Sequence, residues 1–250
     1  LIAAFHRFFE GLGRFPKAAD ALGADIKAWY NQDMRIYFSF NFEINRLVRN
    51  FILVDLFLIG GWGLIEPILS LYIVGNVRGA TLATVGTAAA VYWITKALLQ
   101  FPIAGYLDRT AGEDDDLRAL IIGLLVASFS AMGFVFVHQI WQLYIIQIFH
   151  AAAFALYSAS WPAIFSRHLD KGRVSFDWTL DSMVVSVSAG VSGFLGGVIA
   201  SAFGFPAVFI LTSLLSLAAA IVAIFAPAII LPSKSSGSPV KMPPSSTMGK

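Results

Sequence analysis

Six apolar segments, each about as long as a bilayer is thick, dominate this chain. They cover about residues 47–74, 81–101, 119–137, 140–165, 179–203 and 207–231. A helix needs about 20 mostly apolar residues to cross a ~30 Å hydrocarbon core, because every backbone N–H and C=O must be satisfied inside the segment. Only 13% of the 250 residues are charged, about half of the ~25% typical of a soluble domain. A soluble bundle of six such helices would need a polar shell that this sequence lacks. The segments therefore predict an all-α membrane protein with six transmembrane helices. The connections His138-Gln139 and Gly204-Phe205-Pro206 are short, which makes the helices they join antiparallel neighbours.

The basic residues give the six spans an orientation. Fifteen of the 17 Lys and Arg fall before span one, between spans two and three, between spans four and five, or after span six. Arg78 stands alone on the opposite face, and Lys96 lies within span two. Cytoplasmic loops carry the excess of Lys and Arg, so both termini are expected on the cytoplasmic side of the plasma or inner membrane. An even number of spans is needed to keep that asymmetry.

Residues 1–46 mix Arg7, Arg14, Lys17, Lys27 and Arg35 with aromatic and aliphatic residues, and 18–29 is amphipathic. This basic N-terminal segment reads either as helices lying on anionic lipid headgroups or as a partly disordered tail. It has no single apolar core of a signal peptide. The start at Leu1 leaves a fragment or an unusual start codon as alternatives. Residues 232–250, rich in Pro, Ser and Lys, are expected to be a disordered cytoplasmic tail. There are no cysteines, which excludes disulfides and thiolate chemistry. No phosphate-binding glycine loop or His-Glu-x-x-His pattern is present, and no enzyme, metal, cofactor or nucleic-acid reading arises.

Ionisable residues inside a span are costly and face a bundle interior or a water-filled cavity. Asp55 and Glu66 lie eleven residues apart on span one, close to three full turns, and so share a face. Lys96 on span two has Tyr92 and Gln100 one turn to either side. Asp55 and Lys96 are expected at similar depth, either as an ion pair or with each side chain snorkelling separately to the interface. Glu66 stands beside Pro67 in the outer half of span one, without a local cation, where a carboxyl can bind and release a proton. His150 on span four has Gln147 one turn away and Tyr157 two turns further on. These residues predict a proton- or cation-coupled site between spans one and four, with packing as the alternative role for His150. The run Glu113-Asp114-Asp115-Asp116 is expected to be a solvated loop.

The segment Ala104-Gly105-Tyr106-Leu107-Asp108-Arg109-Thr110-Ala111-Gly112 resembles the signature loop between helices two and three of the major facilitator superfamily. Ala104 replaces its first glycine, and the acidic run replaces its basic pair. Pro67 and Tyr72 sit where the first helix of that family carries a proline and an aromatic residue. Ser192-Gly193-Phe194-Leu195-Gly196-Gly197 is similar to a glycine motif of helix five in drug-exporting members, without its proline. The stretch 203–209 resembles the turn into helix six, and Gln147 takes the place of a membrane arginine in helix four. The resemblance covers one six-helix half, most like the N-terminal half. It implies two inverted three-helix repeats, with spans one and four as equivalents and interrupted helices marking the site. It also implies a charge latch at Asp108 and Arg109 and a secondary active transporter of a small molecule. A homodimer, or pairing with a second six-helix half, would complete it. The alternatives are a non-transporting scaffold or assembly protein, or one half of a split or truncated twelve-helix transporter.

Overall fold

A computed structural model describes residues 46–109, 113–169 and 172–225. The expectations for the basic N-terminal segment and the C-terminal tail lie outside these residues. Helix α1 is Arg46–Ile65, α2 Leu69–Asn76, α3 Leu82–Leu107, α4 Asp114–Gly133, α5 Ile140–Arg167, α6 Val174–Phe203 and α7 Phe205–Phe225. Six helices among the described residues are long and apolar enough to cross a membrane. They are the six expected spans, with α1 and α2 together forming span one.

Span one breaks at Glu66-Pro67-Ile68. Proline supplies no N–H to continue the ladder and crowds the preceding turn. The Ile68 amide instead donates to Ile65 O at 3.0 Å, and the Tyr72 amide restarts a helix on Ile68 O at 2.9 Å. Span four behaves differently: α5 runs unbroken through Pro162. The expectation of interruptions at corresponding places in spans one and four is thus met in span one alone.

Span three also differs from its expected extent. It begins at Asp114, five residues before the apolar run, so Asp114, Asp115 and Asp116 form the first turn of α4. Carboxylates there sit against the positive end of the helix dipole. The acidic run is part of a helix rather than a solvated loop, and Asp116 is 2% exposed.

The helices interlock across the chain's midpoint. Span one packs on spans five and six, span four packs on spans two and three, and spans three and six pack on each other. The five most extensive pairings all join the first three spans to the last three. Exchanging spans one, two and three for four, five and six leaves this pattern unchanged, as a pair of three-helix repeats requires. Spans one and two, by contrast, meet mainly where α2 touches α3.

Small residues permit the close approaches. A Cβ on Gly196 of α6 would lie 2.1 Å from Leu64 O of α1, and one on Gly63 would lie 3.2 Å from Ser192 Cβ. Gly190 and Gly197 meet nothing within 4 Å, so only some of the glycines of α6 serve packing. Polar ties then fix the registers. Thr212 Oγ1 donates to Gly61 O at 2.8 Å, joining spans six and one. Ser128 Oγ donates to Ser213 O at 2.8 Å, joining three and six. The Tyr72 hydroxyl lies 2.8 Å from both Phe134 O and Val137 O, and anchors α2 to the turn that ends span three. Hydrogen bonds of this kind hold apolar helices together where lipid offers no hydrophobic drive between them.

Candidate functional site

The inner face of span one presents Asp55 and Trp62 toward span four. The Asp55 carboxylate is 3% exposed, and Tyr157 Oη donates to its Oδ1 at 2.5 Å. About two turns further along α1, the Trp62 indole lies parallel to the His150 ring, with centroids 3.7 Å apart and 6° between the planes. Tyr92 of span two covers another side of His150 at 4.4 Å, and Phe154 closes a third edge-on at 5.0 Å. His150 Nδ1 is 3.2 Å from Gln147 Oε1 on the same helix. Trp62 Nε1 is buried and has no hydrogen-bond partner.

Lys96 does not pair with Asp55. Among the described residues no ion pair joins them. The reason is the packing: span two lies against span four, whereas span one lies against spans five and six. The Lys96 ammonium instead sits over the Trp93 ring at 5.4 Å and the Phe154 ring at 5.9 Å from their centroids. A lysine stem can lie along apolar surface while the cation meets the electron-rich ring faces. Glu66 occupies the break in span one and is exposed, one turn beyond Trp62, whose carbonyl accepts from the Glu66 amide at 3.1 Å. Glu66, Tyr92, Lys96 and His150 therefore line one wall where spans one, two and four meet. That wall combines an anionic group, a cationic group and a shelf of aromatic faces.

At the latch that the resemblance implies, no ion pair is present among the described residues. Asp108 and Arg109 are exposed just past the end of α3. The charged contacts at this end join span three to span four: Arg167 Nη1 bonds Asp116 Oδ2, and His168 Nε2 lies 2.8 Å from Glu113 Oε2.

Sequence reasoning missed Asp177 and Asp181. Span five was expected to start near Thr179, which left both acids at its edge. The helix begins at Val174, and Asp177 is 4% and Asp181 6% exposed. The available signal was the spacing of the two acids, one turn apart directly before an uncharged apolar run.

Spans two and five leave broad apolar faces uncovered. Trp93 is 63%, Phe101 86% and Phe194 73% exposed. The six-span architecture, with charged and aromatic groups collected on one embedded wall, defines a class: six-helix membrane-spanning bundles. The chain belongs to the Major Facilitator Superfamily, whose family model matches residues 51–246. It is similar in fold to the POT family transporter PepTSo, known from an in meso crystal structure, with a TM-score of 0.58 and 12% sequence identity. That likeness covers 74% of this chain and 38% of that one, so the chain spans well under half of the transporter it matches. No curated protein matches it. Family membership agrees with the expectation that the chain is not an enzyme.

Proposed function

We propose that the chain is one six-helix unit of a secondary active transporter. It moves a small molecule across the cytoplasmic membrane at the expense of a proton or cation gradient. Both termini lie on the cytoplasmic side, as the distribution of Lys and Arg favours. A second six-helix unit, in the simplest case another copy inserted the same way, completes the substrate cavity. The observation that carries this reading is the wall formed by Glu66, Tyr92, Lys96 and His150 in a member of a transporter family. Embedded ionisable residues that converge on one surface mark ion and substrate pathways. The uncovered apolar faces of spans two and five support a second unit, because a lone half-bundle would leave that wall open to lipid. In this reading Gln147 orients His150, and Asp55 and Tyr157 support coupling. Asp108 and Arg109 remain available to latch onto a second unit.

Reconstitution tests the proposal. Compounds that raise the thermal stability of the purified protein are offered to proteoliposomes containing a trapped pH dye. Accumulation that requires an imposed gradient, and that falls in Glu66→Gln and His150→Phe, is expected. Absence of flux under proton, sodium and potassium gradients alike would favour a scaffold role. Co-purification of two differently tagged copies is expected if the second unit is another copy of this chain.

A further inference from the structure

Lys96 is an embedded cation without a counter-ion. It stands near the middle of the 26-residue α3, about 21 Å from the start of that helix and about 17 Å from its end by helix rise. A ~30 Å hydrocarbon core centred on α3 leaves about 12 Å between the Lys96 Cα and the nearer interface, farther than a lysine stem reaches. Snorkelling therefore cannot bring this ammonium to the headgroups. Among the described residues no carboxylate pairs with it. Glu66, the acid of the same wall, is out of range for a geometric reason. Trp62 and Tyr92 face one imidazole, that of His150, with centroids at 3.7 and 4.4 Å, which sets the three rings at one level. Glu66 lies one turn beyond Trp62 on span one, and Lys96 one turn beyond Tyr92 on span two. Consecutive spans run in opposite directions, so the two charges fall on opposite sides of that level, about 12 Å apart along the bundle axis.

We propose that this wall binds an aromatic carboxylate, with its ring on Tyr92 and Trp93 and its anionic group between the Lys96 ammonium and the Gln100 amide. The proposal rests on the transport reading and names the substrate class of that site.

The donors on this face of α3 form a set that lacks its acceptor. The Trp93 and Phe154 rings, 5.4 and 5.9 Å from Lys96 Nζ, offset only part of the cost of an embedded ammonium. An anion supplies the rest. Gln100 lies one turn from Lys96 and Tyr92 one turn to the other side, so the three side chains share a face. Each is half-buried, which leaves it open to a ligand. The rings set the shape of that ligand. Trp62 and Tyr92 lie at 6° and 32° to the His150 plane and so take its opposite faces, which makes Tyr92 the end of a column of three rings. Trp93 meets Tyr92 edge to face at 5.1 Å. An aromatic body extends this surface, since ring pairs favour offset or edge-on contact, and a carboxylate attached to it reaches along α3 to Lys96. An aromatic amine of the same shape would instead meet a like charge there.

Equilibrium binding to the purified protein in nanodiscs tests this without any gradient, so its failure is separable from failure of transport. Calorimetric titration with naphthoate should give saturable binding above the background of empty nanodiscs. The neutral naphthamide and the cationic naphthylmethylamine should each bind at least tenfold more weakly. Lys96→Gln should weaken naphthoate binding at least tenfold, and Lys96→Arg should restore most of it. Arg78→Gln, which removes an exposed cation away from the wall, should leave it unchanged. Three results with the native chain alone overturn the proposal: no saturable binding of naphthoate, equal binding of acid and amide, or preference for the amine. So does equal weakening by Lys96→Gln and Arg78→Gln, which would mark unspecific attraction between charges.

Discussion

The Trp62 indole and the His150 imidazole lie face to face, 3.7 Å between centroids and 6° from parallel. A stack this close joins span one to span four at the level of the embedded aromatic wall. His150 thus has two separable properties, a flat ring that packs and ring nitrogens that hydrogen-bond, Nδ1 lying 3.2 Å from Gln147 Oε1. His150→Phe keeps the first and removes the second. The expected outcome is a thermal midpoint close to that of the parent, with gradient-driven flux abolished. Equal loss of stability and flux would assign His150 to packing alone.

The Asp55–Tyr157 hydrogen bond links the same two spans closer to the basic end of the bundle. Tyr157→Phe and Asp55→Asn should each destabilise the protein, by about 1–3 kcal/mol for a bond to a charged or partly charged group. Because the two residues share one interaction, the double variant should cost less than the sum of the singles. A chemical-denaturation cycle in detergent measures the difference, and strict additivity would show that the bond contributes nothing.

Span five offers an internal control for helix packing. Gly196→Ala would place a methyl group 2.1 Å from Leu64 O, which forces α1 and α6 apart and should lower the yield of folded protein sharply. Overpacking of this kind costs about 1–3 kcal/mol or more. Gly197→Ala, one residue on, meets nothing within 4 Å and should leave folding intact. Size-exclusion profiles of the two variants, made in parallel, compare them directly.

Arg167 and Asp116 are unequal partners. The Asp116 side chain is 3% exposed and that of Arg167 42%. Arg167→Ala leaves a buried carboxylate unpaired, whereas Asp116→Ala releases an arginine that can turn to water. The first should therefore be the more damaging to thermal stability. Exchanging the two charges should restore stability only in part. Asp116 stands in the first turn of α4 and Arg167 in the last turn of α5, and each now complements its helix dipole.

Much of this arrangement is legible in the sequence, and its limits are physical. The six spans follow from the length of the apolar runs, because lipid permits few other solutions. That His150 and Tyr157 meet span one follows from helical periodicity once spans one and four are taken as equivalents, but their partners there, Trp62 and Asp55, do not. The Asp55–Lys96 pair does not form, because depth along a helix is readable from sequence but the neighbour at that depth is not. Adjacency in the chain predicts adjacency in space, whereas spans one and two meet mainly where α2 touches α3, away from Asp55. The acidic turn of α4 was read as loop because hydropathy locates where apolarity begins and not where the helix does. The same error hid Asp181 at the edge of span five. At Pro162 the helix continues where proline rules allow a break, since neighbouring helices can support the freed backbone.

The interlocked packing also has a consequence for biosynthesis. Span one is made first, yet its principal partners, α6 and α7, begin at Val174 and Phe205. At ~5–20 residues per second, the ribosome needs on the order of ten to thirty seconds between completing span one and supplying those partners. During part of that interval Asp55 also lacks Tyr157, its hydrogen-bond donor. The nascent first trio must wait in the translocon or in lipid as loosely associated helices, and the finished bundle assembles only when the last span arrives. A ribosome stalled before span six would therefore hold a membrane-inserted chain whose first helix still lacks one of its two main partners.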